Sequence, residues 1–245
     1  MREASYYLLN DDNSVTCTLC PHNCKIAEGK RGVCGMRHNA SGTLYTENYD
    51  LVSSLALDPI EKKPLRMYKP GTRILSVGTY GCNFKCGFCQ NYHISQEIPP
   101  LRKITVNELL KISQQRTDSI GIAFTYNEPT IWYEYIYETA TQNPKDTILV
   151  TNGFINPEPL NALLPYIDAM NIDLKSINPE FYRKVCGGAL KDVQETIKTA
   201  CKKTHVELTY MAIPGENDSE EEAQEMAAWI AGIDRKIPLH IIPFR

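Results

Sequence analysis

The sequence predicts an α/β fold: a partial (β/α)6 barrel of the TIM type over residues 71–245, preceded by a small cysteine-rich metal-binding extension over residues 1–70. From residue 73 onward, short apolar segments alternate with helical segments, which is typical of βα units wound around a parallel sheet. The leading segment instead holds four cysteines, several glycines and few runs of helical period. We expect six strands rather than eight, because a closed (β/α)8 barrel takes about 250 residues by itself.

The predicted strands are short runs rich in β-branched and other apolar residues. They cover residues 73–78, 120–126, 147–152, 169–176, 205–213 and 239–244. Three predicted helices begin at recognisable signals: Thr105 before VNELLKISQQR, Pro157 at the start of PEPLNALL, and Asp218 or Ser219 before EEEAQEMAAWIAGI. A fourth helix is indicated over 190–203 by its apolar spacing.

A chain of 245 residues, 42% hydrophobic and 22% charged, is large enough for one sizeable core and a small appendage. Its net charge of −3 and its pI near 6.0 argue against a broad basic surface, so we do not expect a nucleic-acid partner. The amino terminus, MREASYYLLNDDNS, has no signal-peptide pattern, and no run approaches the roughly 18 apolar residues that span a bilayer. We therefore expect a cytoplasmic protein without a membrane partner.

Three cysteines follow the first predicted strand in the segment GTYGCNFKCGFCQN. Cys82, Cys86 and Cys89 have the spacing C-x3-C-x2-C. Three thiolates so close in sequence can bind one face of a cube-shaped iron–sulfur cluster only if the segment that carries them is a loop. Gly81 and Gly87 give that loop its backbone freedom. Three ligands for four irons leave one iron open to a substrate, as a catalytic zinc keeps one position free. The alternatives are a structural zinc site without its fourth ligand and a ferredoxin-like cluster completed by a distant cysteine.

Four further cysteines, Cys17, Cys20, Cys24 and Cys34, have the spacing C-x2-C-x3-C-x9-C in the leading segment. Clustered thiols in a chain without an export signal are typical of metal ligands rather than of disulfides. Four sulfurs make a closed tetrahedral site, which suits structural zinc or a rubredoxin-like iron, or else an auxiliary [4Fe-4S] cluster that delivers electrons. The sequence does not decide among these, and free or disulfide-bonded cysteines are the remaining alternative. His22 lies among the four and offers a substitute ligand.

Two cysteines lie outside both groups. Cys201 falls on the apolar stripe of the helix predicted over 190–203, so we interpret it as a core residue. Cys186 follows the fourth predicted strand, on the side where a barrel opens its active site. We interpret Cys186 as a buried bystander, with a hydrogen-donor or substrate contact as the alternative.

The C-x3-C-x2-C motif, with an aromatic residue before its last cysteine and a βα barrel strand before its first, resembles the radical S-adenosylmethionine (SAM) superfamily. The resemblance runs from Cys17 to the end of the chain. The segments CTLCPHNC, DPIEKKPL, GCNFKCGFCQNYHIS, TYNEPT, TNGFI, NIDLKS and MAIPGEND are similar to pyruvate formate-lyase activating enzyme-like proteins, and most similar to their AmmeMemoRadiSam system branch. That branch implies no settled substrate.

The resemblance implies a [4Fe-4S] cluster whose open iron binds SAM through its amino and carboxylate groups. Electron transfer into the sulfonium then splits SAM into methionine and a 5'-deoxyadenosyl radical, which abstracts hydrogen from a substrate. A flavodoxin- or ferredoxin-type reductant is therefore implied as a partner.

Polar side chains share one parity along the fourth predicted strand, where Asn171, Asp173 and Lys175 alternate with apolar residues. Alternate side chains of a strand point to the same face, so all three should face the barrel interior, where SAM is expected. Buried charge is costly without a partner, so the alternative is an internal Asp173–Lys175 ion pair. His240 is polar within the apolar sixth strand, and a cofactor contact and a satisfied core histidine explain it equally well.

The resemblance assigns further SAM-binding residues to the ends of other strands. After the second strand, Asn127 and Glu128 stand where the family carries an acidic residue that accepts hydrogen bonds from the SAM amino group. Thr151 and Asn152 end the third strand in a polar turn like the one that lines the family's SAM site, with ordinary turn chemistry as the alternative. After the fifth strand, Ile213 opens a turn like the one that packs on adenine through backbone contacts.

We expect the radical to abstract hydrogen from a protein or peptide, as glycyl-radical activating enzymes do. A six-stranded barrel without a large cap is laterally open, which favours a macromolecular segment over a small molecule. Radical modification of a small metabolite is the competing enzymatic interpretation. A non-catalytic iron–sulfur or zinc scaffold that has lost SAM chemistry is the alternative from another class.

The chain stops shortly after the sixth predicted strand, without the closing helix and tail expected of the family. This predicts either a short variant or a truncated sequence. One barrel edge is then uncovered, and an uncovered edge favours association with another chain. A homodimer is one way to cover it.

Overall fold

Six apolar strands after residue 72 form one sheet in the computed structural model, which describes residues 1–244. Together with an edge strand from the preceding segment, they are β1 (Ser54–Pro59), β2 (Arg73–Gly78), β3 (Gly121–Phe124), β4 (Asp146–Thr151), β5 (Ala169–Asp173), β6 (His205–Ala212) and β7 (Leu239–Pro243). The strands follow one another across the sheet in chain order. Strands β2 to β7 pair in parallel, whereas β1 pairs with β2 in the antiparallel direction. The predicted α/β architecture with a parallel sheet is confirmed, and its closure into a partial barrel stays a prediction.

Each predicted strand overlaps one observed strand, but the second and the fourth are shorter than predicted, because they end as strands at Phe124 and Asp173. The run predicted over 169–176 ends as a strand at Asp173. Beyond it, the backbone N–H of Lys175 donates to the Tyr182 hydroxyl at 2.9 Å, which draws the chain away from the sheet. Lys175 therefore lies just past the carboxyl end of β5.

The helices between the strands are α1 (Val106–Gln115), α2 (Tyr133–Ala140), α3 (Pro157–Leu163), α4 (Leu190–Ala200) and α5 (Glu220–Ala231). Short helical turns cover Ile60–Lys62, Tyr92–Ser95, Pro129–Trp132, Leu164–Tyr166, Pro179–Phe181 and Tyr182–Cys186. Thr105 begins α1 with a reciprocal capping box to Glu108, and Ser219, not Asp218, caps α5. Four of the helices were predicted from these signals, whereas α2 was not. In residues 1–244, no helix has the length and apolar character needed to cross a membrane.

The amino-terminal segment forms short antiparallel strands around its cysteines. One three-stranded sheet contains Arg2–Glu3, Thr43–Thr46 and Arg37–Ala40, and another contains Tyr7–Leu9, Val15–Cys17 and Lys25–Ile26. Leu51–Val52 pairs with Arg102–Lys103. The buried guanidinium of Arg37 forms a bidentate ion pair with Glu134 of α2, with both N–O distances at 3.0 Å. This pair holds the amino-terminal segment against the helical layer. Because β1 belongs to the predicted extension and yet pairs in the main sheet, the boundary at residue 70 stays a prediction.

Residues 58–68, which we call the floor segment, fold across one face of the sheet near the amino ends of its strands. Ile60 and Leu65 are fully buried there against strand residues Ile74, Ala123, Ile148 and Ala169. Glu207 of β6 accepts three backbone N–H groups of the segment at 2.9, 2.9 and 3.1 Å, from Arg66, Met67 and Tyr68. Asn171 of β5 donates to the Pro64 carbonyl at 3.0 Å, which confirms that its side chain points to this face. The floor segment thereby closes the sheet face at one end.

Glu207 should make folding stability depend on pH. Burial raises the pKa of this carboxyl, but hydrogen bonds from His205, the floor backbone and His240 outweigh burial and hold the pKa below its ordinary value. A lowered carboxyl pKa contributes stability above the unfolded-state value of about 4.3, and this contribution is lost as pH falls through the folded-state value. We expect thermal melts between about pH 5 and pH 3 to show a steeper loss of Tm in the wild type than in Glu207→Gln.

The matched control is Glu195→Gln, because Glu195 is a largely exposed carboxylate that pairs with Lys198 on the surface of α4. Its Tm should fall with pH as steeply as that of the wild type. Parallel curves for Glu207→Gln and the wild type would show that Glu207 does not titrate in folding.

Candidate active site

A cavity of about 470 Å³ opens at the carboxyl ends of the parallel strands, above the floor segment. Parallel strands bring their carboxyl ends to one edge, so loops that follow different strands meet there. The three loop cysteines all line the cavity, namely Cys82, Cys86 and Cys89. Six of the predicted cofactor-binding residues line it too, namely Asn127, Glu128, Thr151, Asn152, Asp173 and Lys175. The structure therefore gathers residues from four strand ends around one space.

The cysteine loop after β2 is held by hydrogen bonds to its sulfurs and by a glycine. The backbone N–H of Phe84 donates to Cys82 Sγ at 3.3 Å, and Cys89 Sγ lies 3.2 Å from the Ser95 hydroxyl. Gly81 has a φ of +86°, and a Cβ there would lie only 2.8 Å from the Met36 side chain. Glycine therefore lets the loop pack directly against the amino-terminal segment. In residues 1–244, no three His, Cys, Asp or Glu side chains are arranged to hold a single metal ion.

Cys186 lies against this loop, at the end of the helical turn Tyr182–Cys186. Its thiol is fully buried and donates a hydrogen bond to Cys86, which lowers the pKa of the Cys86 thiol. Burial has the opposite effect on Cys82 and raises the pKa of that thiol, and the nearby Glu128 adds to the rise. The predicted burial of Cys186 is confirmed, and the structure adds a contact with a loop cysteine.

Glu128 connects three parts of the site. Its carboxylate accepts hydrogen bonds from the backbone N–H of Thr130 at 2.9 Å, from the Thr151 hydroxyl at 2.7 Å and from the backbone N–H of Asn152 at 2.7 Å. Asn152 in turn donates to the Asn83 side chain, beside Cys82, at 2.8 Å. Burial raises the pKa of Glu128 despite these donors. The carboxylate thus fixes the turn after β4 next to the cysteine loop.

Asp173 and Lys175 form an ion pair inside the cavity, with 2.8 Å between Asp173 Oδ2 and Lys175 Nζ. The ammonium group also lies 5.8 Å from the centre of the Phe88 ring. In the sequence, Phe88 lies between the loop cysteines Cys86 and Cys89. Burial lowers the pKa of Lys175, but attraction to Asp173 and to Cys86 outweighs burial and holds the pKa well above its ordinary value. The predicted ion pair and the predicted cavity-facing orientation therefore occur together.

Two predicted cofactor-binding residues do not line the cavity. His240 Nε2 lies 2.6 Å from Glu207 Oε2, so the histidine has a partner beside the floor segment, as the core alternative predicted. Ile213 is buried, and its backbone N–H donates to the Asn217 side chain at 2.7 Å. Both residues therefore have partners outside the cavity that the loop cysteines share, and their cofactor contacts stay predictions.

The amino-terminal cysteines lie on two turns and interact electrostatically with one another. The backbone N–H of Cys17 donates to the Cys24 carbonyl at 3.0 Å, which closes a hairpin. Backbone N–H groups donate to three of the sulfurs, from Leu19 to Cys17, from His22 to Cys20 and from Met36 to Cys34. Burial nevertheless raises the pKa of these thiols, to about 12 for Cys20. The metal bound by the four cysteines stays a prediction.

His22 makes contacts outside the group of four amino-terminal cysteines, and its role as a substitute ligand stays a prediction. Its Nε2 donates to the carbonyl of Asn83, next to Cys82, at 2.7 Å, and the ring packs edge-on against Phe154. The histidine therefore links the amino-terminal cysteine segment to the loop that carries Cys82.

Sequence reasoning assigned no role to four residues that also line the cavity: Asp58, Lys62, Lys63 and Tyr126. The first three belong to the segment DPIEKKPL, which was used only as a family resemblance.

Comparisons with known proteins agree with this geometry. The model of the radical SAM superfamily matches residues 76–227, from β2 into α5. An uncharacterised protein of Methanocaldococcus jannaschii is 44% identical over 252 aligned residues, which cover 100% of this chain and 74% of that protein. The pyruvate formate-lyase 1-activating enzyme of Escherichia coli is 23% identical over 186 residues, which cover 71% of this chain and 75% of that enzyme.

Among solved structures, SuiB of Streptococcus suis bound to S-adenosylmethionine aligns with a TM-score of 0.54 and 16% identity, over 70% of this chain and 42% of SuiB. At this identity the likeness concerns the fold. The superfamily match, by contrast, extends over more than half of the 245 residues and includes the cysteine loop. This chain therefore belongs to the radical SAM superfamily and is homologous to pyruvate formate-lyase activating enzyme.

Proposed function

We propose that this protein reductively splits SAM to a 5'-deoxyadenosyl radical and uses the radical to abstract hydrogen from a protein or peptide. The observation that carries the proposal is that Cys82, Cys86 and Cys89 share one cavity with the ion pair of Asp173 and Lys175. When bound, a [4Fe-4S] cluster supplies the electron that splits SAM. We also propose that the parallel strands curve into a partial barrel around this cavity.

The residues present fit such a cluster. Thiolates are the ligands of iron–sulfur clusters, and three of them leave one iron open. The lowered thiol pKa of Cys86 favours its thiolate, and the backbone N–H that Cys82 accepts from Phe84 partly offsets the rise in pKa that burial causes at Cys82. The four irons of a cluster span more space than one ion, so cysteines too far apart for a single metal remain suitable.

The other cavity residues are suited to SAM itself. Glu128 is a buried carboxylate whose pKa is raised by burial, and an ammonium group beside it would favour the charged form. We therefore assign the SAM amino group to Glu128, with Asn127 beside it. Lys175 is assigned to the SAM carboxylate and Asp173 to the ribose hydroxyls, since a lysine donates to carboxylates and an aspartate accepts from hydroxyls.

We propose further that the four amino-terminal cysteines hold a second metal. The backbone N–H groups that donate to Cys17, Cys20 and Cys34 partly offset the rise in thiol pKa that burial causes, and a bound cation would favour the thiolates further. A flavodoxin- or ferredoxin-type protein is the proposed electron donor.

The decisive experiment measures SAM cleavage directly. Reconstituted protein reduced with dithionite should release 5'-deoxyadenosine from SAM, and unreduced protein should release none. A scaffold that has lost SAM chemistry would release none under either condition. Chromatography of the quenched reaction distinguishes the two.

The substrate class needs a second measurement. If the substrate is a protein that carries a glycyl radical, an electron paramagnetic resonance signal should appear on a co-expressed partner. Turnover of a small compound without that signal would favour the alternative function, radical modification of a metabolite.

A further inference from the structure

A cluster of charged side chains forms the part of the cavity wall contributed by the floor segment. Asp58 is its centre and accepts hydrogen bonds from Lys63 Nζ at 2.9 Å, from Lys62 Nζ at 3.2 Å and from the Tyr126 hydroxyl at 2.9 Å. All four residues line the cavity that the loop cysteines share. None of these four residues was assigned above to the [4Fe-4S] cluster or to SAM.

The cluster carries more positive than negative charge. Two ammonium groups face one carboxylate, which leaves a surplus of one positive charge. The Lys63 side chain is only 3% exposed, and Asp58 is the sole oxygen to which it donates within residues 1–244. A lysine has three N–H donors, so this buried ammonium keeps donors without an oxygen acceptor beside the cavity. Its other neighbour is the Tyr126 ring, at 4.6 Å.

The backbone of Tyr126 is strained into the position that holds this cluster. Its φ of +77° lies in the left-handed region, which is rare for an aromatic residue. The Asn91 side chain donates to its carbonyl at 2.7 Å. At Gly78 a Cβ would lie 2.8 Å from the Thr125 carbonyl and 2.9 Å from the Tyr126 ring, so a glycine is required for this approach. Such strain is typical of functional sites, and here its effect is to aim the phenol at Asp58.

The other charged residues that line the cavity, Glu128, Asp173 and Lys175, are all assigned to SAM, so the floor cluster has no assigned ligand. Lys175 and Asp173 pair with each other and are assigned to SAM, which has one carboxylate. The surplus charge of the floor cluster therefore has no assigned partner. This step rests on the proposed function, because that function fixes which residues SAM uses.

We propose that Lys62 and Lys63, positioned by Asp58 and Tyr126, bind an anionic oxygen group of the substrate, a carboxylate or a phosphate. The ammonium donors match anionic oxygens, and burial of Lys63 strengthens the interaction by excluding water. The exposed Lys62 at the rim meets the anion first, and Lys63 holds it deeper in the cavity. A substrate anchored there would occupy the same cavity as the residues assigned to SAM.

Calorimetric titration of the reconstituted protein with inorganic phosphate, and separately with acetate, tests the subsite at constant ionic strength set by sodium chloride. One of these probes should bind saturably. Lys62→Gln should weaken that binding by about two- to fivefold, the range for an ion pair at an exposed side chain. The matched control is Lys103→Gln, because Lys103 is as exposed as Lys62 (70% against 67%), pairs with one carboxylate and lies outside the cavity.

Lys63→Met should weaken binding further, and a thermal melt shows whether that variant keeps its fold. If it does not, Lys62→Gln alone decides. Binding of phosphate alone assigns a phosphoryl group, and binding of acetate assigns a carboxylate. If neither probe binds beyond chloride, or if Lys103→Gln weakens binding as much as Lys62→Gln, the subsite is wrong.

Calorimetry requires no SAM cleavage, so the two proposals fail separately. A protein that releases 5'-deoxyadenosine and binds neither anion overturns the subsite alone. A protein that binds an anion through Lys62 and releases no 5'-deoxyadenosine overturns the proposed function alone.

Discussion

Single substitutions of Cys82, Cys86 or Cys89 by Ala are expected to reduce 5'-deoxyadenosine formation below detection and to remove the visible iron–sulfur absorbance that belongs to this cluster. Each cysteine lines the same cavity, and a cluster held by three thiolates has none to spare. Iron and sulfide content of the reconstituted variants should fall together with activity. Retained activity in all three variants would end the interpretation of this loop as the cluster site.

The control for this series is Cys201→Ala, since Cys201 ends α4 and does not line the cavity. It should keep both absorbance and activity. Cys186 requires a separate arm, because its thiol already contacts Cys86. Comparing Cys86→Ala with the double variant Cys86→Ala, Cys186→Ala shows whether Cys186 replaces the missing ligand. If Cys186 does so, the single variant should keep some iron–sulfur absorbance and the double variant should keep none.

The sheet was predictable because its signals are local. Runs such as RILSVG and TILVTN are apolar, short and bounded by turns, and they became β2 and β4. Helix α2 was missed because its tyrosines at 133, 135 and 137 alternate as in a strand. In the structure the helix packs Tyr133 against the ring of Tyr6 and Tyr135 against the ring of Tyr49. Tyr6 and Tyr49 are distant in sequence, so a local pattern does not predict these contacts.

The edge strand β1 was also not predictable from the local sequence. It is half exposed, ends in a proline and gains its strand conformation only by pairing with β2. The floor segment that follows is held by Glu207, which lies about 140 residues further along the chain. No pattern within the segment predicts such a contact.

In the site, too, properties that depend on local sequence were predictable, whereas contacts between residues distant in sequence were not. Parity along one strand correctly predicted that Asn171 and Asp173 face the same side, because that property depends only on alternation. The partner of His240 was not predictable, since Glu207 comes from a neighbouring strand and its burial is a property of the whole sheet. Tyr126 was missed because a left-handed φ at an aromatic residue has no sequence signature.

The joint substitution of Cys17 and Cys20 by Ala is expected to prevent the amino-terminal segment from folding. A structural metal held by four thiolates contributes folding free energy on the order of 10 kcal/mol, which is comparable to the entire stability of a typical domain, about 5–15 kcal/mol. The loss should spread to the active site. Arg37 connects this segment to α2, and Gly81 of the cysteine loop packs against Met36. We therefore expect loss of soluble protein, or a large fall in Tm together with poor cluster incorporation.

Loss of buried sulfur atoms also destabilises a protein, because Cys17 is buried, so the metal must be tested apart from packing. Treating the wild type with a strong chelator removes the metal and leaves every side chain in place. If the metal stabilises the fold, the chelated wild type and the Cys17→Ala, Cys20→Ala variant should both lose stability, and elemental analysis should show one metal site missing in each. Cys201→Ala deletes a single half-buried thiol outside both cysteine groups and should melt close to the wild type. A double variant that stays soluble with an unchanged melting curve would show that the four cysteines hold no structural metal, and the packing of the amino-terminal segment would then rest on the Arg37–Glu134 pair and its apolar contacts alone.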